Sequence, residues 1–490
     1  MIRMLFLVHR YLGIAMGLLI SLWCLSGLVM MYVQYPSVSE EERLAGLAEL
    51  DLGACCRWPG DFSNIELDSF RLEMLDGRPI IRLAAQGDDY TLDLQRGEYV
   101  DGFTEAQAAG IAASIAEQLG DGLRARYLGP VDRDQWTVAG GFSAHRPLHR
   151  FELDDGRGTQ IYLSSYSGEA VQMTTASERF WNWLGSVVHW LYPTVIRQNA
   201  YLWSQAIIWT SSVGLLLTAV GLYIGIRQFR CRRSGRHSAY RGVWLWHHYA
   251  GLIFGVLTLT WLFSGLLSVQ PWGAFESRSF AAENARLKGR TLALADVQLA
   301  LRDASSMALP RDTVQLEGAR FGGGLFALAW TQDARATRLA GSEFAAAPLT
   351  DDELAAAAAR LRPDASIVEQ GWLARGDAYY YEHHDARRFP VYRIRYGDDE
   401  RIYLDGTSGQ LAYTVDDRRR SLRWLFLALH RGDFAAVVRE RPVWDVMMWL
   451  AMSGVTVGAL TGTWLGARRV VRAVRGLRAR RPSPWSRAGF

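Results

Sequence analysis

Four long apolar stretches, Leu12 to Tyr32, Trp203 to Ile226, Trp244 to Val269 and Trp444 to Leu465, constrain this chain more than any other feature. Each reaches or exceeds the ~20 residues that a helix needs to span a hydrocarbon core of ~30 Å. Among their Asp, Glu, Lys and Arg positions only Asp445, at the mouth of the last stretch, is filled. Yet the 490 residues are only 49% hydrophobic, with 21% charged, and mean hydropathy is near zero. That average fits neither a disordered chain nor an all-helical bundle. The sequence therefore predicts a multi-pass membrane protein with lipid around its helices and large water-exposed parts.

Charge placement orients it. The connection from Arg227 to Arg241 carries six arginines and no acid, the tail after Leu465 carries eight and no acid, and Arg3 and Arg10 lie before the first stretch. The positive-inside rule puts these sixteen residues in the cytoplasm. The other 38 basic residues face all 50 acids, so the rest of the chain is about −12, and the net +4 implies no nucleic-acid partner. Both termini are expected inside and the two long connections outside. The first stretch exceeds the ~7 to 15 residues of a signal-peptide core and no small-x-small site follows it promptly, so it reads as a retained anchor. Of the four cysteines, Cys24 is intramembrane and Cys231 cytoplasmic, while Cys55 and Cys56 are adjacent, a poor geometry for pairing with each other. No CxxCH or CxxC pattern occurs, which excludes covalent c-type haem and the usual zinc and iron-sulfur motifs.

The chain also repeats itself. HRYLGIAMGLLISLWCLSGL from His9 matches HHYAGLIFGVLTLTWLFSGL from His247, placing His9, Tyr11, Gly13, Gly17, Trp23, Ser26 and Gly27 on His247, Tyr249, Gly251, Gly255, Trp261, Ser264 and Gly265. Further on, Trp183, Leu184, His189, Trp203, Gly221, Gly225 and Arg227 fall on Trp424, Leu425, His430, Trp444, Gly462, Gly466 and Arg468. The unit is helix, outside domain, helix, occurring twice. The expected divisions are 1–33 (first helix), 34–202 (outside domain and interfacial helix), 203–226 (second helix), 227–243 (basic loop), 244–269 (third helix), 270–443 (second outside domain and interfacial helix), 444–465 (fourth helix) and 466–490 (basic tail). Alternation in Phe70 to Leu75 and Arg78 to Ala84 around Asp76-Gly77 predicts a hairpin, with a further strand at Tyr90 to Leu94. Thr104 with Gln107 and Thr350 with Glu353 predict capped helices running to Leu119 and Leu361. The fold class expected is an α-helical integral membrane protein of four transmembrane helices, with pseudo-twofold internal duplication and two periplasmic α+β domains.

Histidines supply the candidate chemistry. His9 begins the first helix, and Gly13 and Gly17 follow at i+4 and i+8; His247, Gly251 and Gly255 repeat the pattern. An imidazole followed by residues without side chains leaves a slot for a flat macrocycle, as when two histidines hold a b-type haem between helices. Glycine at this spacing also serves close packing of membrane helices. His189 and His430 occupy matching places before the second and fourth helices, at the outer face, and make a second candidate pair of axial ligands. His248 stands where Arg10 stands in the first half, so it is an alternative to His247. The tryptophans, including Trp23, Trp261, Trp203 and Trp444, read as interfacial anchors and packing. His145, His149, His383 and His384 do not match across the repeat and read as solvated or structural.

The patterns HRYLG and HHYAG, Leu429-His430 followed by Gly432-Asp433, and IYLDGTSGQL resemble the PepSY-associated transmembrane helix family, and within it the inner-membrane ferric-siderophore reductases of the ferrioxamine-reductase type. The chain departs from it at WLYPT after His189, where the family has a glycine-containing turn such as HRGDF. The resemblance implies a bacterial inner-membrane protein with PepSY-type periplasmic domains and two b haems, held by His9 with His247 and by His189 with His430. It implies an oxidoreductase that delivers electrons to a ferric siderophore. No nucleotide or flavin fingerprint identifies the donor, which is expected to be quinol or a partner reductase. The alternatives are a haem-free sensory or protease-inhibitory protein and a siderophore permease. Against a permease, the helices lack intramembrane charges and broken segments.

Overall fold

The apolar stretches form four long helices, Ile2–Met30, Ala200–Gln228, Val243–Ser268 and Val443–Ala479. All four are long and apolar enough to cross a membrane. This computed structural model describes residues 2–53, 55–60, 65–85, 87–229, 237–307, 309–341 and 344–479. Arg230, Arg232, Arg233 and Arg236 of the basic loop, Cys231, and Arg480, Arg481 and Arg487 of the tail lie outside the described residues. The first helix starts ten residues before its apolar stretch and takes in His9. The fourth runs well past Leu465, through Arg468, Arg469, Arg472 and Arg475. Hydropathy marks what lipid would cover, whereas the helix ends where backbone hydrogen bonding ends, and Arg, Ala and Val do not interrupt it.

The described residues divide into two compact units: one comprises residues up to 35, 181–276 and those from 421 on, the other 36–180 and 277–420. In the first unit small residues let the helices approach. A Cβ added to Gly17 would lie 2.9 Å from Thr463 Oγ1 of the fourth helix, and one added to Gly255 would lie 2.6 Å from Leu222 of the second. Gly454 receives the ring of Phe254. The bundle interior is filled by Met16, Ile20, Cys24, Leu217 and Val455, with Trp23, Phe254 and Trp261 packed on them. Leu18, Trp209, Leu216, Ile253, Val256 and Leu450 point outward and are exposed. Large apolar side chains on these spans would face lipid.

The second unit is built on an eight-stranded sheet. Its order is 345–346, 336–340, 324–331, 313–321, 69–75, 78–85, 88–93 and 98–99. The hairpin forms as expected, with Asp76 and Gly77 both at positive φ (51° and 72°), as a two-residue primed turn requires. At the centre of the sheet strand 69–75 pairs antiparallel with 313–321, Phe70 opposite Gly318. Gly318 must lack a side chain because the Phe70 ring lies against it. The two connections expected as separate domains thus share one sheet, their inner hairpins paired edge to edge. Pairing removes two exposed strand edges that isolated domains would have to protect. Each half adds a four-stranded antiparallel sheet: 125–131, 148–153, 160–164 and 170–174 in the first, 367–373, 391–396, 401–405 and 411–415 in the second. The helices Glu105–Leu119 and Asp351–Leu361 carry the expected capping boxes from Thr104 and Thr350. Cys55 and Cys56, whose adjacency is a poor geometry for pairing with each other, are nonetheless joined as a vicinal disulfide with Cα atoms 3.1 Å apart.

Candidate functional site

Two pairs of imidazoles meet inside the membrane unit. His9 on the first helix faces His247 on the third, ring centroids 6.2 Å apart and planes inclined by 33°. His189, at the end of the short helix Ser186–His189, faces His430 of the segment Leu429–Arg431, with centroids 6.1 Å apart and planes at 70°. Each pair joins the two halves of the repeat.

In every case the Nδ1 atom is anchored. His9 Nδ1 lies 3.2 Å from Leu217 O and His247 Nδ1 lies 3.1 Å from Gly458 O, matching positions on the second and fourth helices. His189 Nδ1 lies 3.1 Å from Trp23 O and 3.2 Å from Ser26 Oγ. His430 Nδ1 lies 3.0 Å from Ser264 Oγ, and the Trp261 carbonyl hydrogen-bonds the same ring. A carbonyl oxygen can only accept, so Nδ1 carries the proton in His9, His247 and His189; at His430 the hydrogen of Ser264 goes to Thr260 O at 2.7 Å, which leaves the serine oxygen to accept from Nδ1 there as well, and in each ring Nε2 keeps its lone pair. Among the described residues no hydrogen bond is made at any of these Nε2 atoms. Burial drives His189 down to about 4 and His430 to about 3, so both rings outside the long helices are neutral near pH 7. Neutral, Nε2-directed imidazole with its other nitrogen held by the protein is the form that binds metals.

A resident haem can be tested against this geometry. With a metal–nitrogen bond of about 2 Å and the ring centre about 1 Å behind the nitrogen, two imidazoles sharing one metal have centroids about 6 Å apart. Both pairs meet that spacing. One turn along from His9 and His247, a Cβ added to Gly13 would make ordinary contact with Leu217 Cδ1 at 3.9 Å, and one added to Gly251 would meet open space, with no atom within 4 Å. The spacing and tautomer of each pair are those that two imidazoles on one haem iron would need.

Gly17 and Gly255, expected on the same face, do different work: they receive Thr463 and Leu222 in helix packing. Eight residues at about 100° each leave a position about 80° round from the histidine, enough to turn it to another neighbour. The glycines that seat the imidazoles lie on the facing helices. A Cβ at Gly221 would lie 2.6 Å from His9 Cε1, and one at Gly462 would lie 2.9 Å from His247 Cε1. Gly27 and Gly265 lie similarly against His189 and His430, at 3.5 Å and 3.4 Å. All four were matched in the repeat, so the signal was present; what the sequence lacks is the partner each one faces.

His248, the alternative to His247, is not the ring that faces His9. Its Nδ1 meets Ser238 Oγ at 2.8 Å and its Nε2 meets Gly225 O at 3.0 Å, so both nitrogens are used in tying the basic loop to the second helix. Trp203 and Trp444 do more than anchor: their indole N–H groups donate to Trp190 O (2.8 Å) and Arg431 O (2.7 Å), closing the turns that follow His189 and His430. His149 is structural, bonded to Tyr127 Oη at 3.1 Å and Phe103 O at 3.0 Å. His383 and His384 lie side by side in the second unit, centroids 4.1 Å apart and planes inclined by 45°. The class defined by fold and sequence is a multi-pass helical membrane protein with large β-rich extramembrane parts. No protein-family model matches the chain, and no curated protein matches it.

Proposed function

We propose that the chain is a two-haem transmembrane oxidoreductase of the bacterial inner membrane, passing electrons from quinol or a partner reductase on the arginine-rich side to a ferric siderophore in the periplasm. The observation that supports it is the pair of facing imidazoles at each end of the bundle, 6.2 Å and 6.1 Å apart, with Nδ1 tied to protein oxygen. When bound, haem b supplies one-electron exchange that needs no acid or base. The chain holds and orients the ligands: Leu217 and Gly458 carbonyls aim His9 and His247, and Trp23 and Trp261 carbonyls aim His189 and His430. From His9 to Trp23, and from His247 to Trp261, a helix rises about 21 Å, most of a hydrocarbon core. Met16, Ile20, Cys24, Leu217 and Val455 pack between and exclude water.

The acceptor is assigned through the resemblance in HRYLG, HHYAG and IYLDGTSGQL. One electron converts hard Fe(III), held by oxygen donors, to Fe(II), which those donors hold more weakly, so reduction frees the metal. An ultraviolet-visible spectrum of the purified protein before and after dithionite tests the proposal, with two haems per chain expected. Protein purified without any reduced-minus-oxidised Soret change ends it. Orientation is tested separately: a phosphatase reporter after Leu465 should be inactive and one near Gly156 active.

A further inference from the structure

The inner and outer imidazole pairs differ at Nδ1. His9 has the Leu217 carbonyl (3.2 Å), and His247 has Gly458 O at 3.1 Å with Thr461 Oγ1 at 3.4 Å. Both outer rings have a carbonyl and a buried serine hydroxyl. Ser26 and Ser264 are 2% and 0% exposed and are matched across the repeat. Hydrogen accounting closes in one way. The Trp23 carbonyl places the proton on Nδ1 of His189, so Ser26 accepts there, and the matched Ser264 stands the same way to Nδ1 of His430 at 3.0 Å. The serine's own hydrogen goes to the carbonyl four residues back, Ser26 Oγ to Leu22 O at 2.7 Å and Ser264 Oγ to Thr260 O at 2.7 Å. Ser212, Thr218 and Thr258 make the same bond to a carbonyl four residues back, with no imidazole partner among the described residues. A serine that only satisfied itself in a membrane helix would look like those three.

Resting on the two-haem reading, we infer that Ser26 and Ser264 are positioning residues that make the outer site the more strongly reducing of the two. A second acceptor on Nδ1–H draws the proton away from the ring and raises the basicity of Nε2, which favours the ferric over the ferrous metal. A more basic ligand pair at the outer site lowers its potential and directs reducing power toward a ferric chelate, itself stabilised in the oxidised form by hard oxygen donors.

The test is a spectroelectrochemical titration of the haem-loaded full chain as wild type, Ser26→Ala, Ser264→Ala and the double variant. The outer midpoint should move to more positive potential in each single variant and further in the double, while the inner midpoint stays in place. Ser26→Thr, which keeps the hydroxyl, should return it. Haem loss from the outer site should quicken about tenfold in the double variant. Unmoved midpoints, or equal movement of both haems, overturns the assignment. A haem-free measurement keeps the two ideas apart. In apo protein the Nδ1–H resonances of His189 and His430 should move upfield and exchange about tenfold faster in the alanine variants. If those resonances do not change, the serines have no hold on the rings, whatever the haem content. If the wild type takes up no haem while they do change, the two-haem reading fails and the inference about potential fails with it, whereas the hydrogen-bonding role stands.

Discussion

The two halves of the chain bring their outer histidines to the same place by different backbone routes. After His430 the chain turns at Gly432, whose φ of 77° is open to glycine; after His189 the matching residue is Leu191, held at a φ of 51°. WLYPT therefore makes the turn that HRGDF makes, without the glycine. Before the histidines, the first half breaks at Gly185, whereas the second half runs through a π-helical turn, Arg423–Ala428, with Phe426 stacked on His430 at 5.3 Å. Asn182 in the first half donates to Gln34 O at 2.9 Å; its counterpart Arg423 reaches the carbonyl of Asp433. What both halves keep is the helix carbonyl and serine that hold Nδ1. The repeat has preserved the contact that aims the imidazole and let the path to it diverge.

The extramembrane halves differ in the same spirit. Where the hairpin strands of the first half carry Glu73 and Arg82, those of the second carry Ala319 and Leu328 in register, and Gln410 stands where Glu169 stands. Arg82 pairs with Glu73 at 2.7 Å and Arg71 with Glu169 at 2.8 Å, whereas Ala319 and Leu328 join an apolar cluster in the second half. Burial alone would raise Glu169, but Arg82 and Arg71 outweigh it and hold the carboxyl down at about 2.

The largest effects should come from the histidines themselves. If the halves are equivalent in function, His189→Ala and His430→Ala should each remove about half of the bound haem, since a b-type haem has no covalent tether; haem-to-protein ratios that differ between the two variants would break the equivalence. Gly221→Val and Gly462→Val should act on the other pair, displacing His9 and His247 and costing the inner haem while the outer one keeps its spectrum.

Acid should discriminate between the extramembrane halves. Because the folded pKa of Glu169 lies below its ordinary value, its contribution is complete above about pH 4.5 and is lost as pH falls toward 2, with a magnitude of about 3 kcal/mol. Hydrogen exchange on acidification should open strands 69–75 and 78–85 before 324–331, and Glu169→Gln should flatten that pH dependence. The turns give smaller effects of opposite sign. Gly432→Ala forces a side chain into the left-handed region, with its Cβ 2.7 Å from Met447 Cε, and should destabilise by about 2 kcal/mol. Leu191→Gly relieves strain of that kind and, after the larger unfolded-state entropy of glycine, should stabilise by up to about 1 kcal/mol. Thermal unfolding in detergent reads both.

Local pattern was enough for much of this protein. The four spans, the Asp76-Gly77 hairpin, the capping boxes at Thr104 and Thr350, and the pairing of His9 with His247 and His189 with His430 by repeat position follow from hydropathy, turn chemistry and self-similarity, which act within a few residues or compare one stretch with another. Only the tertiary structure decided the rest. That His247 and not His248 faces His9 depends on which side of the third helix meets the first. That Gly221 and Gly462 seat the imidazoles depends on helices some 200 residues away in sequence. The joining of the two long extramembrane connections into one sheet, and the serine oxygen at Nδ1 of His189 and His430, likewise rest on contacts between distant segments. Periodicity names the face a residue occupies on its own helix; which partner fills the space opposite is set by how the helices and strands pack.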